Sequence, residues 1–202
     1  MQIDFNALTP SEAYRWLAST VTPRPIAWVS SRAADGSCNL APFSFFQVIS
    51  DEPPTLMVNI STRDDGSLKD TLRNVRETGE LVIQLVGATQ AEAMNASAAV
   101  LPHGVSEFAH CDIPSLPGER VGVPRVAGAP VAFECVVAEV QPYPRETPNC
   151  HLVFARVLLA HIADEVLIND GRHIDPQALD LVGRLGGSNY CTTRDRFSMI
   201  RP

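Results

Sequence analysis

The sequence predicts a mainly β fold with α additions: an antiparallel barrel with helices packed outside it or across its mouth. Three observations carry this reading. β-rich runs dominate from Ile26 onward, an Asp35-Gly36 pair marks a hairpin turn between two of them, and regular strand–helix–strand alternation is missing. A doubly wound sheet needs that alternation, whereas strands joined in succession close into a barrel.

The elements follow in order. Thr9 caps a first helix, Pro10 suits its first position and Glu12 reaches back to complete a capping box. Thr22-Pro23-Arg24-Pro25 ends that helix near Ser19, because proline disfavours helix in the residue before it. Ile26 to Ser31 and Cys38 to Val48 form a hairpin, and a third strand covers Thr55 to Ile60 after the Asp51-Glu52-Pro53-Pro54 break. Ser67 reads as the cap of a second helix, with Asp70 three residues on, Leu68, Leu72 and Val75 on one face, and Gly79 at its end. Leu81 to Val86 is a strand and Thr89 to Val100 an alanine-rich helix. Leu101 to Gly128, rich in Pro and Gly, reads as an irregular excursion of the kind that serves as a lid or wraps a partner. Two long β patterns, Val131 to Val140 and His151 to Ile162, follow it, and Asp175-Pro176 caps a last helix. The whole of 1–202 reads as one domain.

Hydrophobic residues make up 45% and charged residues 19%, a globular rather than a disordered balance. A net charge of −7 repels phosphate backbones and anionic lipid, which argues against nucleic-acid and membrane-surface binding while leaving room for one small anionic ligand. The cysteines (Cys38, Cys111, Cys135, Cys150 and Cys191) are scattered and never form a CxxC pair, so neither a disulfide framework nor a structural zinc site is expected. No two histidines have helical metal spacing, and no metal is expected. The N-terminus lacks the basic start and apolar stretch of a signal peptide, and no run is long enough for a membrane span. A cytoplasmic protein is the expectation.

GxGxxG, GxxxxGK[ST], GxSxG and HExxH are all absent. What is present suits one phosphate. Ser61-Thr62-Arg63 leaves the third strand, and Ser67-Leu68-Lys69-Asp70-Thr71 opens the next helix, where free backbone N–H groups and a partial positive charge attract anions. A plain helix cap with solvated basic residues explains the same stretch. Asn39-Leu40-Ala41-Pro42-Phe43-Ser44-Phe45-Phe46 is a strand-like run interrupted by Pro42, which implies an edge or a bulge with backbone groups free to meet a ligand. A kinked aromatic core strand is the alternative.

Taken together, Thr22-Pro23-Arg24-Pro25-Ile26-Ala27-Trp28-Val29-Ser30, the Asn39–Phe46 run, Lys69-Asp70-Thr71, and Gly183-Arg184-Leu185-Gly186-Gly187 with Tyr190 resemble the flavin reductase-like family of FMN-binding split barrels. The resemblance spans nearly the whole chain in order. It implies a six-stranded antiparallel split barrel, a homodimer, and FMN at or near the subunit interface. By the same resemblance, Asn39, Ala41, Pro42 and Ser44 line the isoalloxazine and ribityl chain, largely through backbone groups. Ser61, Arg63, Lys69 and Thr71 hold the phosphate, Arg24 adds to the same pocket, and Arg184 and Tyr190 lie near its mouth.

The implied chemistry is hydride transfer from NADH or NADPH to the flavin, with no catalytic triad and no obligatory general base, since the cofactor performs the hard step. A partner oxygenase or redox protein would take the electrons. An FMN-binding electron carrier without nicotinamide turnover is the alternative, and a barrel holding some other anion is a third.

Overall fold

The computed structural model describes residues 1–168 and 171–200. The first helix, α1 (Pro10–Thr20), carries the full capping box: Thr9 N–H donates to Glu12 Oε2 at 2.9 Å and Glu12 N–H to Thr9 Oγ1 at 3.3 Å. Seven strands then build one sheet: β1 (Ala27–Arg32), β2 (Cys38–Phe43), β3 (Phe46–Asp51), β4 (Pro54–Ser61), β5 (Glu80–Leu85), β6 (Val131–Tyr143) and β7 (Cys150–Ile162). Their order is β2-β1-β5-β6-β7-β4-β3, and every neighbouring pair is antiparallel.

The sheet thus has one strand more than the six expected. The run read as a single return strand, Cys38 to Val48, divides at Ser44-Phe45, because its two halves pair with different partners. β2 runs along β1, with Pro42 opposite Trp28, while β3 runs along β4 and Asn59 N–H donates to Phe45 O at 2.8 Å. The two halves are consecutive in the chain yet form opposite ends of the sheet order. That seam is where the barrel is split. It also makes β2 an edge strand, where Pro42 removes no ladder hydrogen bond.

Alternation along β1 feeds two cores. Ala27 and Val29 join Leu56, Val58, Ile60, Ile83 and Val153 inside the barrel, which α2 (Asp70–Thr78) closes with Leu72 and Val75. Trp28 points the other way, onto Leu40, Val86, Met94 and Ile113, beneath α3 (Ala91–Ala96) and the excursion. Both faces of β1 are buried, which suits its unbroken apolar start.

The 101–128 excursion holds a short helix, α4 (Glu107–His110), and a hairpin pairing Ser115–Leu116 with Arg125–Val126. It is seated on the chain's own sheet rather than standing free. Polar side chains of the sheet hold its backbone: Glu134 accepts from the N–H groups of Glu119, Arg120 and Val121, and Gln84 from that of Val126. Those side chains are buried and need partners, and the excursion supplies them. Near the C-terminus, Arg24–Pro25, Val182–Arg184 and Tyr190–Thr192 form a small three-stranded sheet. No helix among the described residues is long and apolar enough to cross a membrane.

Candidate functional site

The loop from β4 to α2 is built differently from the cap that the sequence suggests. Ser67 N–H donates to Asp65 Oδ1 at 2.8 Å and Ser67 O accepts from Arg63 N–H at 2.8 Å, so Ser67 closes a turn around Gly66. The helix starts two residues later than a Ser67 cap allows, with Lys69 as its N-cap and no side-chain capping bond. Its first N–H groups are left without a side-chain acceptor, and the basic residues gather beside them.

Asp70 organises this corner. Its carboxylate holds Arg63 at 3.1 Å, Arg73 at 2.9 Å and His103 Nδ1 at 2.6 Å. Lys69 stands apart: among the described residues its ammonium makes no hydrogen bond or ion pair, and it lies 5.6 Å from the centre of the Phe43 ring. Burial, and then the neighbouring Arg63 charge, hold its pKa below the usual lysine value, with Asp64 opposing. A half-buried cation without an anion is a poorly satisfied group, and its chemistry asks for an anionic ligand.

Asn39 sits at the centre of a second, buried network. Its Nδ2 donates to Glu107 Oε1 and Oε2 at 3.1 and 3.0 Å, and its Oδ1 accepts from Thr71 Oγ1 at 2.6 Å and from Ser31 at 3.3 Å. Glu107 Oε2 also accepts from Leu40 N–H at 2.8 Å. The carboxylate therefore fixes the Asn39 amide orientation, and that in turn draws the single Thr71 hydroxyl proton toward Asn39. Burial raises the Glu107 pKa, the Asp70 charge adds to it, and hydrogen bonds from Leu40, its own N–H and Asn39 oppose.

These groups line one cavity of about 230 Å³, whose walls include Asn39, Ala41, Pro42, Arg63, Lys69, Thr71 and Glu107. A neighbouring cavity of about 300 Å³ shares Pro42, Phe43 and Ala98 with it and adds Ser44, Tyr14, Arg184 and Tyr190. The Arg184 guanidinium lies 4.4 Å from the Tyr190 ring centre, and Tyr190 Oη donates to Asn95 Oδ1 at 3.1 Å. Roomier clefts exist, at about 450 and 370 Å³, but neither contains Lys69, Arg63 or Glu107.

Six of the nine residues predicted from sequence thus line the first cavity and Ser44 the second. Two do not join them. Ser61 is exposed at the end of β4, opposite Cys150, and lines neither cavity. Arg24 is buried and occupied: its guanidinium donates to the carbonyls of Ala18, Val21 (3.0 Å) and Leu185 (3.1 Å), while Nε reaches Ser44 Oγ at 3.4 Å. It satisfies the carbonyl end of α1, a use that residue spacing alone does not reveal.

Glu107 and Asp70 line the first cavity and were missed by sequence reasoning as site residues, as was His103, which touches the site only through Asp70. Asp70 adjoined the basic pair and was legible as its counter-ion; Glu107 and His103 lie in the aperiodic excursion and carried no local signal. Elsewhere, burial pushes the Cys135 thiol up to about 12, with the Glu134 charge adding, so this core cysteine is inert. Among the described residues no three His, Cys, Asp or Glu side chains gather as a metal-binding set.

Comparison with known proteins bears on the chain's family. The flavin reductase like domain matches residues 19–176. An uncharacterized protein of Deinococcus radiodurans is 40% identical, over 98% of this chain and 88% of its own length. The structure resembles nitrilotriacetate monooxygenase component B from Bacillus cereus, at 32% identity with a TM-score of 0.93 over 98% of both chains. It also resembles 2-nitrobenzoate 2-nitroreductase from Pseudomonas fluorescens, at 28% identity with a TM-score of 0.90 over 100% of this chain and 96% of that one. With its split barrel and these likenesses, the chain belongs to the flavin reductase-like family of flavin-linked oxidoreductases.

Proposed function

We propose that the two neighbouring cavities hold one FMN, with the phosphate at Arg63 and Lys69, the ribityl chain along Asn39 and Ala41, and the ring toward Pro42, Ser44, Arg184 and Tyr190. The observation that carries this is the half-buried Lys69 ammonium, lacking an anionic partner among the described residues and set beside Arg63. A phosphate there supplies the missing counter-charge, and the α2 N-terminus adds backbone donors.

When bound, the flavin supplies hydride acceptance and return, and we propose NADH or NADPH as its donor. The protein's own share is placement. Pro42 and Phe43 wall the ring end, the edge position of β2 leaves backbone groups available there, and Arg184 brings positive charge toward the ring. No proton-transfer residue is assigned, since positioning the two rings suffices for hydride transfer.

The likeness to a monooxygenase component B supports delivery of reduced flavin to a partner oxygenase. A homodimer is part of the reading. Tyr14, Leu17 and Val21 of the α1 region and Phe45, Val48 and Ile49 at the seam are exposed apolar side chains, and Tyr14 also borders the ring-end cavity. A second copy covering them would shield the ring from water. Five free cysteines suit a reducing cytoplasm.

The test is an absorption spectrum of the purified protein reconstituted with FMN, taken anaerobically before and after NADH or NADPH. Bleaching of the yellow band is expected. A flavin that stays oxidised with both donors, yet bleaches with dithionite, would leave a carrier and remove the nicotinamide step.

A further inference from the structure

We propose that Glu107 determines specificity in the cofactor site: its carboxylate accepts a hydrogen bond from a hydroxyl of the polyol chain that joins the flavin ring to the phosphate. This rests on the FMN reading above and deepens it. The argument is one of donors and acceptors. At one end of the first cavity stand Arg63, paired with Asp70, and Lys69, whose unpaired ammonium calls for an anion. The wall beside them is the reverse. Thr71 has turned its only hydroxyl proton to Asn39, so toward the cavity it offers lone pairs. Glu107 Oε1 receives a share of the Asn39 amide at 3.1 Å, while Oε2 takes the other share and the Leu40 N–H.

A carboxylate carries about four acceptor positions, so Oε1 retains capacity. Among the described residues no cation pairs with Glu107, although the residue is only 5% exposed and lines the cavity. A second phosphate there would meet a buried negative charge and no donor. A neutral chain of hydroxyl donors next to a terminal phosphate matches the sequence of charges along the wall, and an apolar linker would leave the carboxylate poorly solvated and unsatisfied. The ligand class read from this wall is therefore a polyol phosphate, and Glu107, from the excursion rather than the barrel, is the residue that reads the hydroxyls.

The competing reading is that Glu107 only props Asn39. A ligand–protein cycle separates the two, read as equilibrium dissociation constants from quenching of flavin fluorescence. Wild type and Glu107→Gln are each titrated with FMN and with the FMN analogues that lack one ribityl hydroxyl apiece. In wild type, one analogue should bind roughly 10- to 100-fold more weakly than FMN, the value of a hydrogen bond to a charged acceptor. In Glu107→Gln the same gap should shrink to roughly tenfold or less, the value for a neutral acceptor.

If the variant weakens FMN and every analogue by one common factor, Glu107 is a prop and the proposal fails while the FMN reading stands. Should Glu107→Gln not fold, the wild-type series decides alone: equal affinity for FMN and all the analogues overturns the proposal. Wild type that binds no FMN overturns the FMN reading, and this inference with it.

Discussion

Two buried glutamates fasten the 101–128 excursion to the barrel, and they are built to opposite ends. Glu134, on β6 and away from the cavities, is saturated: N–H groups of Glu119, Arg120 and Val121 and the ring nitrogen of His161 (2.6 Å) all converge on it. Burial alone would raise its pKa, but the His161 and backbone hydrogen bonds together outweigh that and lower it. Glu107, on the excursion and facing the first cavity, is held by Asn39, Leu40 and its own N–H, with no paired cation among the described residues, and burial prevails and raises its pKa. Equal chemistry thus yields an anchor in one place and an unfinished acceptor in the other. Full satisfaction marks a group that holds the fold, and incomplete satisfaction at a cavity wall marks one that waits for a ligand.

The largest effect should come from the saturated side. Glu134→Gln sets an amide NH2 against backbone N–H groups that have no other acceptor, and should cost about 3–5 kcal/mol of stability in denaturant unfolding. Glu107→Gln removes an under-solvated charge and keeps one acceptor oxygen, and should cost less than about 2 kcal/mol. Equal losses for the two would erase the distinction between anchor and acceptor.

How much of this was legible in the sequence depends on how local its cause was. The α1 capping box was readable because Thr9 and Glu12 lie three residues apart. Gly79 was readable as a helix end because it takes φ 72°, where other residues are strained. The split at Ser44-Phe45 was not, since hydropathy runs on through it and only distant partners, β1 and β4, divide the run. Arg63, Lys69 and Thr71 came from a short motif beside one helix. Glu107 reaches Leu40 across 67 positions, and no periodicity or spacing announces such a contact. The use of Arg24 at the end of α1 was hidden for the same reason, since its partners there are carbonyls, which every residue has.

A middle-sized effect should separate the phosphate end of the cavity from the anchor. Lys69→Ala and Arg63→Ala should each weaken FMN binding by about 1.5–3 kcal/mol in fluorescence titration, since each removes a charge-assisted contact. Their effects on stability should diverge from that of Glu134→Gln. Lys69 has no anion paired with it among the described residues, so its removal should leave unfolding unchanged or make the protein more stable. Arg63 gives up one of the Asp70 contacts, and Arg73 and His103 still hold that carboxylate. A Lys69→Ala protein that binds FMN as wild type does would put the phosphate elsewhere.

The smallest effect follows from the opposed pKa directions and is read as stability against pH without ligand. For Glu134 the folded pKa lies below the ordinary 4.5, so the unfolded chain binds the proton more tightly. Its contribution is complete above about pH 4.5 and is lost as pH falls through the lower folded value. For Glu107 the folded pKa lies above 4.5, so the folded chain binds the proton more tightly and stability falls as pH rises through that window. The windows extend to opposite sides of 4.5 and meet where the unfolded carboxyl titrates. The stability difference between wild type and Glu107→Gln should therefore change mainly above pH 4.5, moving against wild type as pH rises. The carboxyl's own part of the difference for Glu134→Gln, apart from any change at its partner His161, should fall mainly below pH 4.5, wild type losing its advantage as pH falls. Equilibrium unfolding from pH 3.5 to 7.5 reads both, and a Glu107 difference that stays flat above 4.5 would mean its carboxylate is as well satisfied as its counterpart on β6.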